Sequence, residues 1–210
     1  MRRIQPLIGG LLDLTLCSIG VFFLLLALSA EADYEEGVNA AFSGDFDTAF
    51  REFKIAAEEG LDLAQYNLAI LYFSGQGADQ DFTLAFKWTK AAAEQGHLNA
   101  QFNLGSLYLE GQGTTQDNAR GIDWFVLAAR SGHANAAYAL AKMYQEGDTI
   151  AKDLVQAHAW AVKAASNDHG NGSILAAEIE KDLNPNELSQ ARRLFARWQI
   201  ESLPPMPPKE

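Results

Sequence analysis

The chain has 210 residues, 48% of them hydrophobic, a formal net charge of −11 and one cysteine. That length suits a single all-helical domain behind an export segment. The acidic balance repels phosphates and so excludes nucleic acid as a partner class, and one thiol cannot build a disulfide framework.

Residues 1–32 read as an export segment and not as part of the fold. Arg2 and Arg3 come before an apolar stretch that is continuous from Leu14 to Ala30, with Asp13 just ahead of it. Its 17 residues fall between the roughly 7–15 of a signal-peptide core and the roughly 20 of a spanning helix. Ala30-Glu31-Ala32 offers a small-x-small cleavage site, which predicts a mature start at Asp33. A cleaved signal and a periplasmic protein are the preferred reading; an uncleaved inner-membrane anchor facing the periplasm is the alternative. Either way the arginines stay inside, so the remaining chain faces the far side of the membrane. Any membrane contact is confined to residues 1–32. Cys17 follows Leu16 where a lipoprotein signal needs a small residue, so lipidation is not expected. Without residues 1–32 the chain keeps 14 basic and 25 acidic residues and has no thiol.

Residues 33–63 read as an N-terminal capping repeat of tetratricopeptide-like form. Ala56-Ala57-Glu58-Glu59-Gly60 precedes Ala92-Ala93-Glu94-Gln95-Gly96 by 36 positions, and the hairpin link is the short Ser43-Gly44-Asp45-Phe46. A terminal repeat is expected to be atypical because one of its faces meets water. This one is acidic, with nine carboxylates between Asp33 and Leu63 against Arg51 and Lys54.

The next 108 residues repeat one pattern three times, at 64–99, 100–135 and 136–171, without insertion or deletion. Leu68, Leu104 and Leu140 align, as do Tyr72, Tyr108 and Tyr144, and Trp88, Trp124 and Trp160. A fixed period of this length marks a solenoid whose units bury their apolar faces against neighbours. In each unit Tyr66, Leu68, Ala69, Leu71 and Tyr72, or their equivalents, trace a first helix A. Small Ala69 and Gly105 admit a closely packed helix. Gly75-Gln76-Gly77 and Gly111-Gln112-Gly113 end helix A, and Asp81, Asp117 and Asp153 are placed to cap helix B. Helix B carries Ala85, Trp88, Ala92 and Ala93 and stops at Gly96. The third copy has Gly147-Asp148-Thr149 in place of the Gly-x-Gly turn and Ala139 in place of the Asn, so its loop is expected to differ.

Residues 172–202 read as C-terminal capping helices. A fifth helix A is predicted from Ile174 to Lys181. Asn184-Pro185-Asn186-Glu187 then has the form of a helix start, with Asn as cap, Pro first and Glu third. The helix it opens, Leu188 to Gln199, carries Trp198, which follows Trp160 by 38 positions and so breaks the 36-residue register. Residues 203–210 begin with Leu203-Pro204-Pro205-Met206-Pro207-Pro208, which excludes a helix and predicts an extended tail.

The repeated AQYNLxxLYxxGQGxxQD, Ala-x-x-Trp and AAxxGH elements resemble the Sel-1-like repeats, relatives of the tetratricopeptide repeat. The resemblance implies an all-α, right-handed superhelical solenoid of antiparallel helix pairs. It also implies an adaptor or regulator in protein complexes, of a kind often exported in bacteria, with helix A lining a concave groove. Some disulfide-rich bacterial relatives are linked to β-lactam binding, so a β-lactam-binding or hydrolytic enzyme is the alternative. This chain lacks their cysteines and has no serine at an elbow motif with a His and an acid.

Other chemistry finds weak support. His97, His133 and His169 recur one repeat apart, at least about 8–10 Å in packed helices, whereas zinc holds its nitrogens at about 2 Å. A structural role is expected for them, and no metal or cofactor. His158 stands on helix B with no evident partner. The Gly-x-Gly turns follow no strand and carry no Lys-Ser/Thr, so they are not phosphate cradles. The repeated tryptophans read as wedges between helices.

What remains is a surface. On helix A one arc is free of core positions: Leu63, Asn67, Ile70 and Ser74, then Asn99, Asn103, Ser106 and Glu110, then Asn135, Ala139, Lys142 and Glu146. Asn has both donor and acceptor and suits the backbone of an extended peptide; the other reading is that Asn67 and Asn103 brace a neighbouring turn. The site expected to bind a protein or peptide partner is Asn67, Ile70, Ser74, Asn103, Ser106, Glu110, Lys142 and Glu146. Ile70, Ser106 and Lys142 are the positions expected to set specificity, because the fold does not dictate them.

Overall fold

The computed structural model describes residues 30–201 and 203–207, and among these every regular element is a helix. Arg2, Arg3, Asp13, Cys17 and the apolar stretch before Ala30 lie outside the described residues. Helix α1 is described over 30–43. It is followed by α2 (Phe46–Glu58), α3 (Asp62–Ser74), α4 (Phe82–Glu94), α5 (Leu98–Glu110), α6 (Asn118–Arg130), α7 (Ala134–Glu146), α8 (Leu154–Ser166), α9 (Gly172–Glu180) and α10 (Pro185–Ile200). Among the described residues no helix is long and apolar enough to cross a membrane.

The caps explain why the helices start and stop in register. Asp81, Asp117 and Asp153 accept backbone N–H bonds from Leu84, Arg120, and Val155 with Gln156 at 2.9–3.0 Å, which offsets orphan amides of the first turn. Gly75, Gly111 and Gly147 end α3, α5 and α7 in the left-handed region, with φ of 72°, 67° and 84°. The second glycine of the turn has a different reason. A Cβ on Gly77 would stand 2.1 Å from the Phe46 carbonyl oxygen, and one on Gly113 1.9 Å from that of Phe82. Thr149 occupies that position in the third copy without a positive φ. The loop nevertheless closes as its predecessor does: Asp153 N donates to Tyr144 O, and Asp117 N to Tyr108 O, both at 2.9 Å.

The chain divides into two compact units after Gln80. In the first, α2 packs on α3, and Ala49, Phe53, Ala56, Ala64 and Leu68 are buried. Gly37 lets α1 approach, since a Cβ there would lie 2.7 Å from the Phe53 ring. In the second unit the core runs from Phe125 through Leu140 and Trp160 to Ile179. Small residues allow a close contact between α5 and α6: a Cβ on Gly105 would meet the Phe125 ring at 2.4 Å and the Gly121 carbonyl at 2.9 Å. Trp124 and Trp160 are buried wedges, and Trp88 is half-buried.

The end of the second unit differs in extent from the sequence reading. The fifth helix A begins two residues earlier, at Gly172, and the last helix runs from Pro185 to Ile200. Its capping box is complete. Asn184 Oδ1 accepts from Asn186 N and Glu187 N, while Glu187 Oε2 accepts from Asn184 N. The box fixes the start at Pro185, the first helical position that the Asn-Pro-Asn-Glu form indicates, and the helix ends one residue beyond Gln199. Helix α10 then packs on α8, with Trp198 and Trp160 ring centroids 4.0 Å apart.

Candidate functional site

None of the twelve arc positions is buried, which follows from their spacing on helices whose core stripe lies elsewhere. In the first unit Ile70 is 39% exposed. Asn67 is half-buried, and its Nδ2 donates to the Tyr34 hydroxyl at 3.4 Å, so it ties α3 to α1 and not to a turn. Ser74 Oγ donates to Leu71 O at 3.4 Å and to Gln76 Oε1 at 3.1 Å, which folds it onto the end of its own helix.

Asn67 and Ile70 share a groove with Tyr34, Phe42 and Phe46, an open cavity of about 420 Å³. Phe42 stands at 90% exposure. Sequence reasoning picked out the α3 side of this groove and missed the aromatic α1 side. The available signal was Tyr34, Val38, Ala41 and Phe42 at helical spacing in a segment read mainly for its acidity.

In the second unit the arc is more polar. Asn103 and Ser106 are half-buried and Glu110 is exposed, and Ser106 Oγ donates back to Phe102 O at 3.4 Å. Lys142 Nζ donates to Gln145 Oε1 at 3.0 Å and pairs with Glu146 Oε1 at 2.9 Å. The bond to Glu146 raises the Lys142 pKa, against a smaller opposing effect of burial, and keeps the ammonium charged.

The histidines have structural partners. Ala100 N donates to His97 Nδ1 at 3.2 Å, and Ala136 N to His133 Nδ1 at 3.1 Å, so each imidazole caps the helix A that follows it. The rings also stack, His133 on Phe102 at 4.6 Å and His169 on Tyr138 at 4.1 Å between centroids. Burial lowers the His133 pKa, which keeps Nδ1 free to accept the bond. His158 does have a partner: its side chain is 4% exposed, with Nε2 3.4 Å from Glu180 Oε2. Glu180 Oε1 in turn meets Arg192 at 3.3 Å. Among the described residues no group of three or more His, Cys, Asp and Glu is arranged to hold a metal.

Comparison with known proteins places this architecture. The Sel1 repeat profile matches residues 62–97, 98–133 and 134–169, three windows that together exceed half of the chain. Among solved structures, a Sel1 repeat protein from Oxalobacter formigenes is similar at 27% identity and a TM-score of 0.67, over 81% of this chain and 54% of that one. A protective antigen of uropathogenic Escherichia coli with the SLR fold is similar at 23% identity and a TM-score of 0.47, over 86% of this chain and 50% of that one. The chain thus spans about half the length of each. No curated protein matches it. With three consecutive 36-residue matches on helix pairs that share an Asp cap on the second helix and a Gly end on the first, the chain belongs to the Sel1 repeat family, whose all-helical fold is that of a protein-interaction scaffold.

Proposed function

We propose that this chain is a non-enzymatic interaction module of the bacterial cell envelope, an adaptor or regulator that holds a protein or peptide partner on the helix A arc. The observation that carries the reading is the open groove on which Asn67 and Ile70 meet Tyr34 and Phe42. An apolar floor edged by an amide and a phenol supplies what an extended backbone needs, contact area and hydrogen-bonding groups. The envelope location rests on Arg2, Arg3 and the Leu14–Ala30 stretch, with Asp33 as the mature N-terminus.

Crosslinking and capture from envelope extracts tests the interaction. The wild-type chain should retain a defined partner that Ile70→Glu loses, with the circular dichroism of the two unchanged. Equal capture by both chains removes the arc as the working surface. N-terminal sequencing should begin at Asp33; an intact Met1 in membrane-bound protein overturns cleavage. Covalent labelling by a β-lactam probe should be absent, and labelling would return the enzyme reading.

A further inference from the structure

The tail and the groove have matching chemistry. Leu203-Pro204-Pro205-Met206-Pro207 has three prolines in five residues, which fix φ and hold the segment in an extended polyproline form before it meets anything. Such a segment loses little conformational freedom on binding. It carries almost no N–H groups but a full set of carbonyls, so its receptor must offer apolar rings and hydrogen-bond donors.

The first helix pair offers both. Phe42, at 90% exposure, and Phe46 edge the groove with Ile70 beside them. An open ring beside an apolar groove extends it into the kind of exposed patch that marks an interaction site. The Tyr34 hydroxyl uses its oxygen to accept from Asn67 at 3.4 Å, and this bond does not consume the phenolic proton, which can be donated to a carbonyl.

Charge points the same way. Exposed Glu35 and Glu36 belong to a segment with nine carboxylates against two basic residues. The helix that leads into the tail exposes Arg192, Arg193 and Arg197. The groove is lined entirely from residues 34–76, while Leu203 and Met206 of the tail are 54% and 39% exposed. Both parties are therefore available to a second molecule.

We propose that the groove of the first helix pair receives the proline-rich tail, residues 203–207, of a second copy of this chain. The proposal rests on the reading of the α3 arc as a binding surface and names its ligand. Each copy offers one groove and one tail, a heterologous contact that closes as a pair or ring or runs on as a chain.

Sedimentation of the full-length chain across a concentration series is the test. The mass should rise with concentration, and an excess of a synthetic peptide of residues 201–210 should return it to the monomer. Phe42→Ser should weaken association by at least about tenfold, as should a tail with Pro204, Pro205 and Pro207 all replaced by Ala. Because Phe42 is so exposed, its substitution leaves the fold intact, and circular dichroism checks this. A chain that stays monomeric, or associates regardless of the peptide, overturns the proposal. Association that survives both variants but disappears when residues 1–32 are removed assigns the contact to that segment and also overturns it. If a monomeric chain still captures a partner that Ile70→Glu loses, the tail is wrong and the arc stands. If Ile70→Glu changes neither partner capture nor self-association, both fall.

Discussion

At the C-terminal end Trp198 covers Trp160, with ring centroids 4.0 Å apart, and Arg130 lies 5.8 Å from the Trp198 ring. In the first helix pair Phe42 is left at 90% exposure beside an open groove. Both are terminal elements of a repeat array, and each faces the same problem: a last unit has no neighbour to cover its apolar face. The C-terminal end solves it by leaving the 36-residue register, so that an amphipathic α10 packs on α8. Among the described residues, the N-terminal end keeps an aromatic face open. Where one end is sealed and the other is not, the open face is the better candidate for a working surface, because stability alone would favour closing it.

The largest effect that would break this comparison is at the sealed end. Trp160 is 3% exposed and packed in the core of the second unit. Trp160→Ala is expected to cost about 3–5 kcal/mol through lost burial and a cavity, read by denaturant unfolding. A loss as small as that of a surface substitution would mean that α10 is not a seal.

A pH series sharpens the same contrast. His158 sits among α8, α9 and α10, faced by Glu180, with Arg192 beyond it. Burial lowers its pKa; Glu180 opposes that shift and Arg192 adds to it. The native state therefore holds a neutral imidazole, and the unfolded chain has an ordinary one near 6.5. As pH falls below about 6.5 the unfolded state takes up a proton that the native state refuses, so stability drops on the acid side, by at most about 1.4 kcal/mol per pH unit for one proton. His133, lowered by burial, contributes with the same sign. Unfolding at pH 5.5 and 7.5 should show a smaller difference in His158→Gln than in wild type. An unchanged difference assigns the acid sensitivity elsewhere.

These two sites also show where the sequence is readable and where it is not. The three cap aspartates, Gly75 and Gly111, and Asn184 with Pro185 and Glu187 are all local signals, and each acts on backbone within a few residues of itself. Recurrence at 36 residues multiplies the first two kinds. A structural role is expected for His97 and His133, but capping by an imidazole Nδ1 is outside the usual Ser, Thr, Asp and Asn set. His158 and Glu180 are 22 positions apart, on helices brought together only by stacking, so no spacing rule joins them. Phe42 escaped for a different reason. An aromatic residue on a helix reads as core until the structure shows that no described neighbour covers it.

The smallest change in stability should come from the arc, and there binding and folding separate. Ile70 is 39% exposed and Lys142 is half-buried with its ammonium on Gln145 and Glu146. Ile70→Glu changes a side chain at the open edge of the groove, and Lys142→Glu trades one exposed ion pair for a like charge beside Glu146, so each should shift stability by no more than about 0.5 kcal/mol. Their effects on a partner should differ. Ile70 belongs to the aromatic groove, where a carboxylate would be desolvated against rings, so Ile70→Glu should abolish capture while the melting temperature holds. Lys142 lies on the polar arc of the other unit, where a charge reversal should weaken capture only for an acidic partner, with a marked dependence on salt. A chain that loses its partner through Lys142→Glu and keeps it through Ile70→Glu would move the working surface from the open aromatic end to the middle repeats. The contrast between the two ends would then concern stability alone.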